Sequence, residues 1–262
     1  MKFDTLHLDK NTETGVATLT FDRPPRNALD RQLAEEFAVA LGDVRDDDSM
    51  RAVVLTGAGK AFCAGGDLKV LAGELADPEA ARSFIRACHL CILSITEMKK
   101  PVVAAVNGDA AGAGWSIALA CDLIVASAEA RFIMAFVRVG LVPDLGGAWQ
   151  LTQLVGQHKA REWMMLGDVV SAADAERFGV VNRVVDAGEV FPAAQMLATQ
   201  LAAGPGQSLA LMKGMISRYG TMSLQDALVD EAEAQASASQ TEDFQEGVQA
   251  FQEKRPPVFK GK

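Results

Sequence analysis

The stretch that decides the fold begins Asn107-Gly108-Asp109-Ala110-Ala111-Gly112-Ala113-Gly114-Trp115-Ser116 and ends Gly140-Leu141-Val142-Pro143-Asp144-Leu145-Gly146-Gly147. A turn of small residues follows the apolar run 102–106 and leads into a short helical run. Further on, Phe132-Ile133-Met134-Ala135-Phe136 carries no charge, and Asp144 and Arg138 are the only ionisable residues between Phe132 and Ala148. A carboxyl among apolar side chains loses hydration, which disfavours its charged form and raises its pKa toward a value useful for proton transfer. A second reading of Asp144 is equally open at this point. Asp is a favoured N-cap, and a helix can start near Leu145.

Working outward, a second turn of the same kind precedes the first. Ala52-Val53-Val54-Leu55-Thr56 is a continuous apolar run, as expected for a strand in a sheet covered on both faces. It is followed by Gly57-Ala58-Gly59-Lys60-Ala61-Phe62-Cys63-Ala64-Gly65-Gly66-Asp67-Leu68. This is no Walker loop, since no Gly-Lys-Ser/Thr closes it, and the dinucleotide spacing Gly-x-Gly-x-x-Gly is missing. Its glycines allow close approach of backbone amides to a ligand, although a tight strand-to-helix turn would explain them too. Both turns offer free amides where backbone dipoles favour negative charge. Two such donors converging on one oxygen make an oxyanion hole, for which a thioester carbonyl becoming an enolate is a suitable guest.

Around these turns the pattern is α/β. Residues 3–9 and 15–21 read as a hairpin, 31–44 as a helix with Leu33, Phe37, Ala40, Leu41 and Val44 on one face, 78–98 as a helix, and 180–185 as a strand. Helices are expected over 146–155, 158–166 and 172–177. From Glu189 the chain is helical, with breaks near Gly204-Pro205-Gly206 and Tyr219-Gly220, and an acidic amphipathic run over 223–253. An α/β core over 1–200 and a helical region over 201–262 follow. Cys88-His89-Leu90-Cys91 lacks a second pair and reads as packing rather than a metal site, and Asp46-Asp47-Asp48 as a solvated turn.

The totals exclude several classes. A formal charge of -9 over 262 residues disfavours nucleic-acid or anionic-membrane surfaces. No apolar run approaches the roughly 18 residues that span a bilayer. Met1-Lys2-Phe3-Asp4 does not resemble a signal peptide, and the four Cys suit a reducing compartment, so a cytoplasmic location is expected.

The segments Leu55-Thr56-Gly57, Phe62-Cys63-Ala64-Gly65-Gly66-Asp67-Leu68, Pro101-Val102-Val103-Ala104-Ala105-Val106-Asn107-Gly108, Cys121-Asp122-Leu123 and Glu246-Gly247-Val248 to Lys262 together resemble the crotonase (enoyl-CoA hydratase/isomerase) superfamily over nearly the whole chain. The resemblance implies a spiral of ββα units with a C-terminal helical trimerisation region, trimers that often pair into hexamers, and binding of acyl-CoA thioesters, with coenzyme A as part of the substrate and no separate cofactor. By position it puts the oxyanion amides on Gly66 and Ala113. It puts Arg26, Ala28, Ala64, Asp67 and Leu68 along the CoA and pantetheine channel, and Phe251 and Lys254 where a neighbouring subunit's tail meets the CoA. The chain departs from the family's hydratases where they carry two glutamates, since Ser116 and Phe136 stand there, and loss of both acids impairs addition of water. Asp144 stands where some isomerases and dehalogenases of the superfamily place their carboxylate, but the dehalogenases have Trp at the position of Phe136. The run from Phe132 to Asp144 is similar to the ring-epoxide isomerase subfamily, which rearranges 1,2-epoxyphenylacetyl-CoA and also moves double bonds.

An acyl-CoA isomerase with Asp144 as its single acid/base is therefore the expectation, with Phe132, Met134 and Phe136 as an apolar wall. Gly114-Trp115-Ser116-Ile117-Ala118 lacks the last Gly of a nucleophile elbow, and Ser116 is expected to pack inside a helix. A hydratase acting through Asp144, an acyl-CoA thioesterase and a non-catalytic acyl-CoA-binding protein are the alternatives.

Overall fold

The computed structural model describes residues 2–262. Its strands are β1 (Leu6–Asn11), β2 (Val16–Phe21), β3 (Ala52–Gly57), β4 (Ala61–Cys63), β5 (Val102–Val106), β6 (Asp109–Ala111), β7 (Leu123–Ser127), β8 (Arg131–Ile133), β9 (Val170–Ser171) and β10 (Arg183–Val185). Its helices are α1 (Arg31–Arg45), α2 (Leu68–Glu74), α3 (Pro78–Thr96), α4 (Ala113–Ala120), α5 (Gly147–Leu166), α6 (Ala172–Arg177), α7 (Val190–Ala202), α8 (Gly206–Tyr219), α9 (Leu224–Ala238) and α10 (Glu242–Glu253).

Two sheets form. The larger runs β1-β2-β3-β5-β7-β10 and is parallel except for the β1–β2 hairpin. The smaller runs β4-β6-β8-β9, with β4, β6 and β8 parallel. Period-two alternation with cover on both faces explains why β3 and β5 are buried throughout. Val53 and Leu55 face α1 and α3, while Ala52 and Val54 face Val190, Ala194 and Ala198 of α7. On the first face Phe21 meets Phe37 and Phe62 edge-on, with ring centroids 4.9 and 5.9 Å apart. Burying each of these rings contributes about 2–3 kcal/mol.

Several helices begin at a side-chain cap. The carboxylates of Asp30, Asp67 and Asp77 cap α1, α2 and α3, and Thr241 caps α10. That last cap divides the expected helical run 223–253 into α9 and α10. The two expected helices over 146–166 are joined through Gly156, whose left-handed φ of 74° kinks α5. The C-terminal segment is tied back to the core. The Arg51 guanidinium donates to the carbonyls of Gly204 (2.6 Å) and Phe259 (3.1 Å), and Asp243 accepts from the amides of Lys260 and Gly261. Among the described residues no helix is long and apolar enough to cross a membrane.

Candidate active site

Strands β4 and β6 are parallel neighbours, so the turns that leave their carboxyl ends emerge side by side. Ligands in α/β proteins bind at such strand ends. The first turn holds Gly65 and Gly66, the second Gly112 and Ala113. Gly65 has φ +95°, and a β-carbon there would lie 2.8 Å from the Ala111 carbonyl oxygen and 3.8 Å from the Ala113 nitrogen. Only a residue without a side chain permits this contact. The amides of Gly66 and Ala113 donate no hydrogen bond to any backbone or side-chain acceptor among the described residues, and Ala113 opens α4. Meeting of the two turns, which no spacing in the sequence specifies, is therefore a feature of the fold.

Both turns border one cavity of about 150 Å3. Asp144 lines it too, in the loop between a short 3-10 helix (Ala135–Val139) and α5. Leu145 takes a left-handed φ of 49°, which costs a side-chain-bearing residue about 1–2 kcal/mol. The kink turns Leu145 fully into the core and leaves Asp144 facing the cavity. Asp144 does not cap α5. The capping position is Gly146, with no side-chain bond, and Asp144 contributes only its carbonyl, to the Gly147 amide at 2.9 Å. Its Oδ1 is buried without a hydrogen-bond partner, and burial pushes its carboxyl up to about 6. Of the two readings of this residue, isolation in apolar surroundings is the one the fold adopts.

The other walls are apolar. Ala64, Leu68 and Phe136, named from the sequence, line the cavity. Phe132 and Met134 do not. Both are completely buried in the core, where the Phe132 ring centroid lies 5.5 Å from that of Trp115. A three-residue strand followed by a 3-10 turn puts only one of these three side chains on the cavity. Leu71 and Leu75 of the α2 segment and Phe84, Ile85 and Cys88 of α3 take the remaining wall. Sequence reading missed them, although the i, i+4 pair Phe84 and Cys88 marks one helix face. Burial pushes the Cys88 thiol up to about 12, with the Asp144 carboxylate adding to the shift, so Cys88 acts here as a packed apolar group. Cys91 also faces the core, donating to the Ala34 carbonyl, while His89 is exposed.

Three residues expected along a ligand channel lie outside this cavity. Asp67 caps α2 and pairs with Arg23 at 3.0 Å. Arg26 lies outside the cavity with its guanidinium on Asp109, which also binds Arg131 through two bonds of 2.8 and 2.7 Å. Ala28 precedes Leu29, and it is Leu29 that borders the cavity. Phe251 and Lys254 are not part of this site within one chain. Phe251 is 86% exposed, and Lys254 ends α10 in a left-handed conformation. Ser116 is completely buried in α4, its hydroxyl against the backbone of Gly147. Among the described residues no cluster of three His, Cys, Asp or Glu could hold a metal ion.

The chain matches the enoyl-CoA hydratase/isomerase family over residues 11–262. It is 38% identical to a 1,2-epoxyphenylacetyl-CoA isomerase of Escherichia coli K12, with both chains covered completely, and 39% identical to a probable enoyl-CoA hydratase of Rhodobacter capsulatus, over 95% of each. Its fold superposes with a TM-score of 0.93 on the crystal structure of an enoyl-CoA hydratase from Polaromonas sp. JS666, at 36% identity over 97% of this chain and 99% of that one. Likeness of this degree along the full length means shared descent, and the chain belongs to the enoyl-CoA hydratase/isomerase family, the crotonase superfamily of enzymes.

Proposed function

We propose that this enzyme is an acyl-CoA isomerase in which Asp144 is the single acid and base. The observation that carries the reading is the unpartnered Asp144 carboxyl in an apolar cavity that the Gly66 and Ala113 turns also border. The thioester oxygen accepts from the Gly66 and Ala113 amides. The Asp144 carboxylate removes a proton from a carbon made acidic by the thioester, and the electron pair moves onto the oxygen as an enolate. The protonated Asp144 then returns the proton to a different carbon, and the double bond has moved with no net change in atoms. A pKa near 6 leaves Asp144 ionised at neutral pH, yet basic enough to accept a carbon-bound proton once the amides stabilise the enolate. In a ring epoxide, the same amides and acid would serve a rearrangement. Coenzyme A enters as part of the substrate, and the scheme uses no other cofactor.

The cavity also supports isomerisation over hydration. Among the described residues Asp144 is the only carboxylate that lines it, Phe136 is one of its walls, and Ser116 is buried elsewhere. Hydration by two carboxylates needs a second acid beside the water. The residues Arg26, Ala28, Ala64, Asp67 and Leu68 would follow the CoA, with Arg26 exchanging Asp109 for a phosphate. Residues 201–262 would serve self-association as a trimer or hexamer, in which Phe251 and Lys254 reach a neighbour's CoA. The exposure of Ile216, Leu224 and Val229 on α8 and α9 supports an apolar contact there.

The test is incubation with 1,2-epoxyphenylacetyl-CoA and with 3-enoyl-CoAs, followed by mass and ultraviolet absorbance. A new isomer of unchanged mass is expected. Gain of one water would identify a hydratase, release of free CoA thiol a thioesterase, and tight binding without turnover a binding protein.

A further inference from the structure

One wall of the cavity is built differently from the others. The two turns and Asp144 belong to segments anchored by strands or by α5, whereas α2 buries no residue at all. Leu68 and Leu71 of α2, with Leu75 just beyond its end, line the cavity at spacings of three and four, one helical face. Opposite, α3 supplies Phe84 and Cys88. The contact that joins these pieces comes from outside the cavity. Arg31, in the first turn of α1, donates from Nε and Nη2 to the two carboxylate oxygens of Glu74, at 3.0 and 2.7 Å, at the end of α2. Its guanidinium carbon also stands 5.4 Å from the centroid of the Phe84 ring. A planar guanidinium suits both contacts at once, because its fork fits a carboxylate and its face fits an aromatic ring.

We propose that Arg31 is a positioning residue for substrate choice: by holding Glu74 and Phe84 together it fixes the depth of the acyl cavity and restricts the enzyme to compact acyl groups. The inference rests on the acyl-CoA reading above and names the substrate class within it. The cavity is the size that holds one benzene ring, roughly 150 Å3. A phenylacetyl or hexanoyl group fits that room, and a dodecanoyl chain needs Phe84 and α2 to move apart. Phe84 is 3% exposed, with the Arg31 guanidinium packed over its ring.

The test uses unreactive saturated thioesters and the full-length protein. Affinities for phenylacetyl-CoA, hexanoyl-CoA and dodecanoyl-CoA are measured by calorimetry on the wild type, Arg31→Met, Arg31→Lys and Phe84→Ala. The wild type is expected to prefer the two compact thioesters by about tenfold or more. Arg31→Met and Phe84→Ala should bring the ratio close to one by tightening dodecanoyl-CoA, and Arg31→Lys should fall between. Amides of residues 68–77 should exchange hydrogen faster in Arg31→Met. Should Arg31→Met fail to fold, Phe84→Ala and Arg31→Lys decide. A wild type without preference, an unchanged ratio in the variants, or equal weakening of all three thioesters would overturn the proposal. Failure of the wild type to bind any acyl-CoA would instead remove the functional reading, and this inference with it.

Discussion

Asp109 opens β6 just before the Gly112 turn, Asp144 lines the cavity that this turn borders, and their surroundings are opposite. Asp109 ends up 9% exposed at the start of β6 with two guanidinium partners, Arg131 and Arg26, and Arg131 above all holds its carboxyl below the usual range. Asp144 is half-buried among leucines and Phe136 with one oxygen buried and unpartnered, and its carboxyl is held up near 6. The same side chain is structural in one place and suited to proton transfer in the other. What differs is whether cations accompany it out of water.

The largest effect that would break this contrast is on rate. Asp144→Asn keeps the shape of the cavity and removes the base, so isomerisation should fall by about a thousandfold, within the range for loss of general acid–base catalysis, while acyl-CoA affinity is kept. Steady-state kinetics with a titration of an unreactive thioester separates the two, and an unchanged rate would remove Asp144 from the mechanism. In the wild type, kcat/KM should decline as pH falls through about 6, as the base becomes protonated.

Stability should then sort the two acids by sign. The Asp144 carboxyl is raised from 3.8 to about 6, so the fold favours its protonated form, and stability is lost as pH rises from about 4 to about 6. The loss is about 3 kcal/mol at most, and Asp144→Asn should be more stable than the wild type above that window by up to this amount. Denaturant unfolding at pH 4 and pH 7 measures it, and equal pH dependence in both proteins would contradict the isolation of Asp144. Asp109 is lowered, so its contribution is present above 3.8 and is lost as pH falls below it. Asp109→Asn should cost about 1 kcal/mol, because both arginines are more than half exposed and water screens the pairs. It should leave kcat within about twofold, since Asp109 lies outside the cavity. A large fall in kcat would show that the acid beside β6 takes part in the chemistry.

The smallest effect concerns Ser116. Its hydroxyl is completely buried and makes one weak bond, to the Gly112 carbonyl at 3.4 Å. Ser116→Ala should shift stability by less than about 1 kcal/mol and leave turnover intact. Loss of turnover would restore the nucleophile that the structure argues against.

Much of the larger sheet was readable in advance, because its strands are long enough for burial on both faces to show as continuous apolar runs. Residues 52–56 and 102–106 were found within a residue of β3 and β5. The smaller sheet was invisible. Its strands β4, β6 and β8 have three residues each, too few for a period to be recognised. Helix α2 was missed for the same reason, since it buries nothing and has no apolar stripe long enough to read. At the site, Asp144 stood out because an acid is conspicuous in an apolar run. Phe84 and Cys88 looked like any amphipathic helix, and Phe132 and Met134 were wrongly placed on the cavity wall beside Phe136.

Composition and local pattern by themselves determined the α/β class, the two glycine turns and one acid without charged company, since these follow from propensity, hydration and the period of each element. The tertiary structure alone decided that the turns touch, that Asp144 faces a cavity instead of capping α5, and which helices close that cavity. Those outcomes depend on contacts between residues far apart in the chain, such as Gly65 with Ala111 and Arg31 with Glu74, and local sequence carries no energy for a contact whose partner is not yet in place.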